Sequence, residues 1–296
     1  MSRIFDALRR AEQQKPPDGF PPETQGGKTP PSPGESTAFS SNVAPTQSPA
    51  EVQATGTPIE AILDACPRRD PLPRAAGQPE ENSRNLSMLS EEFRSLRSHL
   101  ILMRKQKSLQ RLLITSPLPQ EGKTFVTAHL AQALARQRGR RVLMIDGDLR
   151  ASALHKALGA PQAPGLSEYL SGTCDLGTAM WRGLQDNLFF LAGGERPQNP
   201  TELLGNGRLE SLLATLTPAF DWIILDSPPV IPVSDAKLLA QLCDGVLMLV
   251  QAGRTPFDLA QEACQEFSKT QLLGVVLNRA GDHVGYGYYY SSTEKS

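Results

Sequence analysis

Between Leu112 and Leu134 the chain runs from an apolar segment, Leu112 to Thr115, through Ser116-Pro-Leu-Pro-Gln-Glu-Gly-Lys-Thr124, into Phe125-Val-Thr-Ala-His-Leu-Ala-Gln-Ala-Leu134. The first segment reads as a buried strand and the last as a helix. A strand, a loop closing on Gly-Lys-Thr and a helix make the setting of a phosphate-binding loop. There the loop N–H groups and the positive helix N-terminus face one anion. Lys123 reaches the terminal phosphates, and the Thr124 hydroxyl is placed to ligate Mg²⁺. Gln120, Glu121, Gly122, Lys123 and Thr124 are the candidate contacts to nucleotide. Pro117 stands where the pattern wants glycine; it offers no N–H and fixes φ, so the loop's entry is rigid. Gly27-Lys28-Thr29 repeats the three letters inside a proline-rich stretch, without strand or helix.

Composition excludes several classes. The 296 residues carry a net charge of −1, so no basic field points to nucleic acid. Cys66, Cys174, Cys243 and Cys264 form no C-x-x-C pair and read as reduced thiols. His99, His129, His155 and His283 show no metal-ligand spacing. No apolar run approaches the roughly 18 residues of a membrane span. The N-terminus has no apolar signal region. The expectation is a cytoplasmic protein that does not itself cross the bilayer.

Four regions are expected. Residues 1–14 form a short amphipathic helix, with Ser2 as N-cap and Ile4, Phe5, Leu8 and Ala11 near one face. Residues 15–84 hold fourteen of the 25 prolines and read as a disordered linker with a short apolar patch, Ile59 to Leu63. Residues 85–280 form the folded domain, and 281–296 a flexible tail. The domain opens on a helix with Leu89, Phe93, Leu96, Leu100 and Met103 on one face. Strands are expected at 111–115, 141–145, 187–191, 221–226, 245–250 and 272–277. Helices are expected near 123–138, 151–158, 165–171, 206–216, 233–242 and 256–269. Strands dense in Val, Ile and Leu and separated by helices imply an α/β fold, a parallel sheet covered on both faces. Ligands bind such sheets beyond the carboxyl ends of the strands.

Two acidic motifs fall at such ends. Val142-Leu-Met-Ile-Asp-Gly-Asp-Leu-Arg150 delivers Asp146 and Asp148, which project to the same side if the segment is extended. Phe220-Asp-Trp-Ile-Ile-Leu-Asp-Ser-Pro-Pro-Val230 ends a strand at Asp226, the position of a Mg²⁺-holding Walker B carboxylate. Either aspartate set alone could simply cap a turn. Asn278 ends the last strand on the ligand side and is a candidate adenine contact, or a turn residue.

With these motifs together, residues 86–290 resemble the bacterial tyrosine kinases of capsule and exopolysaccharide synthesis. Ser116–Thr124 resembles that family's Walker A, Ile145–Arg150 its additional acidic motif, and Asn199-Pro-Thr-Glu-Leu-Leu204 and Asp226-Ser-Pro-Pro-Val230 its later motifs. Glu91-Glu-Phe-Arg-Ser-Leu-Arg97 resembles its E-x-x-R-x-x-R helix, which assigns Glu91, Arg94 and Arg97 to a subunit interface of a ring-like homo-oligomer. Met1–Glu12 looks like the start of cytoplasmic exopolysaccharide-cluster members. Gln120, where many members have glycine, and Ala151, where a second basic residue is common, depart from the pattern. The resemblance implies ATP and Mg²⁺ as cofactors and autophosphorylation of tail tyrosines. It also implies a transmembrane chain-length-determinant-type adaptor as activator, a cognate tyrosine phosphatase, and a place at the inner face of the cell membrane through that partner.

The tail suits such a reading. Tyr286, Tyr288, Tyr289 and Tyr290 lie among Gly281, Gly285 and Gly287, so one could enter a neighbouring subunit's site. In the mechanism this implies, Lys123 neutralises phosphate charge, and Thr124, Asp148 and Asp226 hold the metal. Asp146 orients the tyrosine hydroxyl and takes its proton late along a loose transition state. One competing class is a ParA/MinD-type ATPase switch, which carries an early P-loop lysine where this chain has Leu118. Another is a non-catalytic nucleotide-binding regulator of a polysaccharide exporter.

Overall fold

The computed structural model describes residues 59–68, 83–183 and 185–280, with residues 83–90 given by backbone alone. The expected helix at 1–14, most of the expected linker and the tyrosine tail lie outside the described residues.

Among the described residues seven strands form one sheet: β1 (Arg111–Thr115), β2 (Val142–Asp146), β3 (Met180–Arg182), β4 (Leu188–Leu191), β5 (Trp222–Asp226), β6 (Gly245–Gln251) and β7 (Leu272–Asn278). Their order is β3-β4-β2-β5-β1-β6-β7. Every pairing is parallel except β3 with β4. Parallel neighbours need crossovers, and the crossovers are helical. The six strands read from sequence are all present within a residue or two. Only β3 was not expected; its three residues, Met-Trp-Arg, are too short to carry a period.

The helices are α1 (Ile59–Ala65), α2 (Ser83–Gln106), α3 (Lys123–Ala135), α4 (Leu154–Ala157), α5 (Leu166–Ser171), α6 (Leu176–Ala179), α7 (Pro200–Leu204), α8 (Arg208–Leu216), α9 (Asp235–Gln241) and α10 (Phe257–Gln265). A 3₁₀ turn, Thr217–Ala219, leads into β5. Successive strand residues point to opposite faces, so each strand feeds two cores. On one face Leu112, Ile114, Val142, Met144, Trp222 and Ile224 pack against α2, α3 and α4. On the other Leu113, Leu143, Ile145, Ile223 and Leu225 pack against α5, α8 and α9. This double burial is why the strands read as continuous apolar runs.

Within the stretch expected to be linker, residues 59–68 fold. Leu63 of α1 is 1% exposed and Cys66 is 4% exposed, both in the core shared with α8. Glu60 accepts two hydrogen bonds from Arg141 Nη1, at 2.7 and 2.8 Å. Arg182 N donates to Pro67 O at 3.1 Å, which pairs residues 67–68 with the outer strand β3. The apolar patch at 59–63 is thus part of the domain: edge backbone and an open core pocket give it partners that its local sequence does not reveal.

Candidate active site

The strand order sets the site. β5 lies between β2 and β1, with Asp146 opposite Asp226 and Ile114 opposite Asp226 in register. The phosphate loop after β1 and the aspartates ending β2 and β5 therefore share one rim. Gly122 caps α3 with φ +97, a left-handed conformation open to glycine at little cost. A Cβ there would lie 2.3 Å from Asn278 Nδ2. Gln120 is also left-handed, with φ 64, which explains why glycine suits that position.

Lys123 is buried, and its Nζ donates to Ser116 Oγ at 3.1 Å. Burial lowers its pKa, against the opposing pull of Asp226, Asp148 and Glu121. Thr124 Oγ1 donates to Asp226 Oδ2 at 2.5 Å. Asp146 Oδ2 accepts from Ser152 Oγ at 2.7 Å, Leu154 N at 3.0 Å and Ala153 N at 3.1 Å, while Oδ1 accepts from Asp148 N at 3.2 Å. Asp148 Oδ1 accepts from Ala151 N at 2.9 Å and Arg150 N at 3.2 Å. Burial raises the pKa of both Asp146 and Asp226, and their mutual repulsion adds to the rise at Asp226.

Carboxylates outnumber cations here. Asp146 and Asp226 are buried side by side with Lys123 as the nearby cation. Asp226 Oδ1 is buried without a hydrogen-bond partner among the described residues. An orphaned carboxylate oxygen beside a threonine hydroxyl fits a hard divalent cation. Thr124 and Asp226 match the one or two protein groups by which Mg²⁺ is commonly held together with phosphates and water.

Of the candidates, Lys123, Thr124, Asp146, Asp148 and Asp226 come together. Glu121 brings its backbone to the loop, but its carboxylate is buried behind it, accepting from Leu118 N at 2.8 Å and from the Thr255 hydroxyl. Asn278 Nδ2 donates to Glu121 O at 2.7 Å, so its amide braces the phosphate loop. Glu91 and Arg94 are exposed on α2 and pair with each other at 3.0 Å. Arg97 turns inward, and its Nη1 donates to Ala133 O at 2.9 Å at the end of α3. Ser116, Ser152 and Thr255 were not singled out from sequence; the hydroxyl that opens the phosphate loop seven residues before its lysine was the one available signal.

Residues 112–294 match the CobQ/CobB/MinD/ParA nucleotide-binding domain family. The tyrosine-protein kinase YwqD of Bacillus subtilis is 32% identical over 207 residues, 69% of this chain and 87% of its own. The chain belongs to the bacterial tyrosine kinases. Among solved structures, the kinase domain of the Escherichia coli tyrosine kinase ETK matches 67% of this chain and 80% of its own, with TM-score 0.60 and 31% identity. Some members are far longer: EpsB of Ralstonia nicotianae is 35% identical over 204 residues, 68% of this chain but 27% of its own length. Members of this tyrosine kinase family thus contain the domain both nearly alone and within larger chains. No helix among the described residues is long and apolar enough to cross a membrane.

Proposed function

We propose that this chain is an ATP-dependent tyrosine autokinase that phosphorylates Tyr286, Tyr288, Tyr289 and Tyr290 of neighbouring subunits. The carrying observation is the rim where Lys123, Thr124, Asp146, Asp148 and Asp226 converge around an orphaned carboxylate oxygen, in a chain of the tyrosine kinase family. Bound Mg·ATP supplies the phosphoryl group, its bond to the ADP oxygen breaking as a bond to tyrosine Oη forms. The N–H groups of residues 120–124 and the Lys123 ammonium receive the phosphate charge. Thr124 and Asp226 hold the metal, and Asp148 supports it. Asp146 keeps Oδ1 lightly used, with one donor, and so can orient the incoming hydroxyl. Burial raises its basicity, which narrows the gap to a tyrosine of pKa ~10 and favours proton transfer late in the reaction.

Several phosphates on the tail, each adding about −1.5 to −2 charges, would repel one another and loosen a ring held through Glu91 and Arg94. Arg97 supports that face from within its own subunit. A transmembrane adaptor of the chain-length-determinant type would activate the enzyme at the membrane, a tyrosine phosphatase would reverse it, and the process served is capsule or exopolysaccharide synthesis. The test is purified protein incubated with and without Mg·ATP, then mapped by mass spectrometry. Phosphate on residues 280–296, absent in Lys123→Met, is the expected result. ATP-dependent dimerisation of an unmodified chain would favour the ParA/MinD-type switch instead, and nucleotide binding with neither change would favour the regulator.

A further inference from the structure

We infer that Arg150 is a positioning residue that fixes the Asp148 loop through a junction with the buried Asp235 and with Thr201. The inference rests on Asp148 supporting the metal, as proposed above. Asp235 opens α9, and its side chain is fully buried. Its Oδ2 accepts from Arg150 Nε at 2.7 Å, and its Oδ1 from Thr201 Oγ1 at 2.6 Å and Arg150 Nη2 at 3.2 Å. Arg150 Nη2 also meets Thr201 Oγ1 at 2.8 Å. Three segments distant in sequence thus meet at one carboxylate: the loop after β2, the start of α7 and the start of α9.

A basic residue two places beyond Asp148, on the rim of a phosphate site, invites assignment as a phosphate contact. The geometry opposes that. Arg150 Nε and Nη2 are committed to Asp235 and Thr201, and a buried carboxylate stripped of its cation is strongly unfavourable. What the anchor controls is backbone. Asp148 Oδ1 is aimed by the N–H groups of Arg150 and Ala151, and Leu149 between them is 2% exposed. Fixing the guanidinium fixes those N–H groups and, through them, the carboxylate. Lysine cannot reproduce the fork that engages both Asp235 oxygens.

The test compares wild type, Asp148→Asn, Arg150→Lys and the neutral pair Arg150→Gln with Asp235→Asn. A fluorescent ADP analogue is titrated in EDTA and across a Mg²⁺ series, and melting temperature is recorded without ligand. The lysine keeps a cation beside Asp235, and the neutral pair leaves no buried charge, so a folded variant is retained. Arg150→Lys and the neutral pair are expected to raise the Mg²⁺ concentration for half-maximal binding about tenfold, as loss of a group supporting a metal ligand commonly does. Affinity in EDTA should stay within about twofold, because no phosphate contact is lost; the double variant Asp148→Asn with Arg150→Lys should be no worse than Asp148→Asn. A fall in EDTA affinity would mark Arg150 as a phosphate contact and overturn the inference. An unchanged Mg²⁺ requirement in both Arg150 variants, with Asp148→Asn shifted, would overturn it while leaving the site reading intact. No Mg²⁺ dependence in wild type, or none altered by Asp148→Asn, would remove the site reading and this inference together.

Discussion

Gly122 carries two constraints at once, a left-handed φ of +97 and no room for a Cβ beside Asn278 Nδ2. A left-handed non-glycine residue costs about 1–2 kcal/mol. Gly122→Ala is therefore expected to push Asn278 off Glu121 O, disorder the phosphate loop and weaken nucleotide binding by at least about tenfold, some 1.4 kcal/mol. Calorimetric titration with ATP reads this directly; wild-type affinity in the alanine variant would mean that the loop tolerates the displacement. Asp226 is under a different strain. Its raised pKa comes mainly from burial and its Oδ1 is buried without a hydrogen-bond partner among the described residues, so Asp226→Asn should leave the ligand-free protein as stable or more stable while abolishing Mg²⁺-dependent binding. Differential scanning calorimetry with and without Mg·ADP separates the two effects. A ligand-free melting temperature that drops would show that the protein itself stabilises the Asp226 carboxylate.

At the level of elements, the α2–α3 contact has a built-in response to acid. His129 of α3 lies against the rings of Phe93 and Phe125, with centroids 5.3 and 4.0 Å away. Burial lowers its pKa below the ordinary 6.5. The unfolded chain thus takes up a proton near pH 6.5 while the folded chain resists it until lower pH. Stability from the neutral ring is fully present above about pH 6.5 and is lost as pH falls toward the folded value. His129→Leu should flatten the melting temperature between about pH 7 and pH 5 relative to wild type; identical slopes in the two proteins would exclude His129 as the source. The α1 segment has its own test. Leu63→Ala leaves a hole in the core that α1 shares with α8 and should cost about 2–5 kcal/mol. Chemical denaturation midpoints measure it, and a loss below about 0.5 kcal/mol would mean that residues 59–68 are an accessory rather than part of the domain.

For the whole molecule, the exposed Glu91–Arg94 pair on α2 is where association is expected. Glu91→Arg places two like charges on that face and should shift the protein toward smaller species in sedimentation velocity, with melting temperature essentially unchanged because the pair is exposed. An unaltered size distribution would move the subunit contact elsewhere. Replacing the four tail tyrosines by phenylalanine should spare ATP hydrolysis and remove the phosphotyrosine signal. A signal that persists would place the modification outside the tail.

Sequence by itself determined the crossover α/β plan, because each strand is a short apolar run and each helix a contiguous periodic segment. It also marked Lys123, Thr124, Asp146, Asp148 and Asp226, because each stands at the junction of such a segment with its loop. Strand order was not legible, and that order alone brings Asp146 beside Asp226 with the phosphate loop next to them. Nor was the role of Arg150, whose partner Asp235 lies 85 residues away, nor the inward turn of Arg97, nor the docking of residues 59–68 against β3. These depend on pairings across the fold, between residues whose neighbours in the chain carry no trace of the contact; hydrophobic periodicity fixes which face a residue takes, and only closure of the sheet fixes what it meets there.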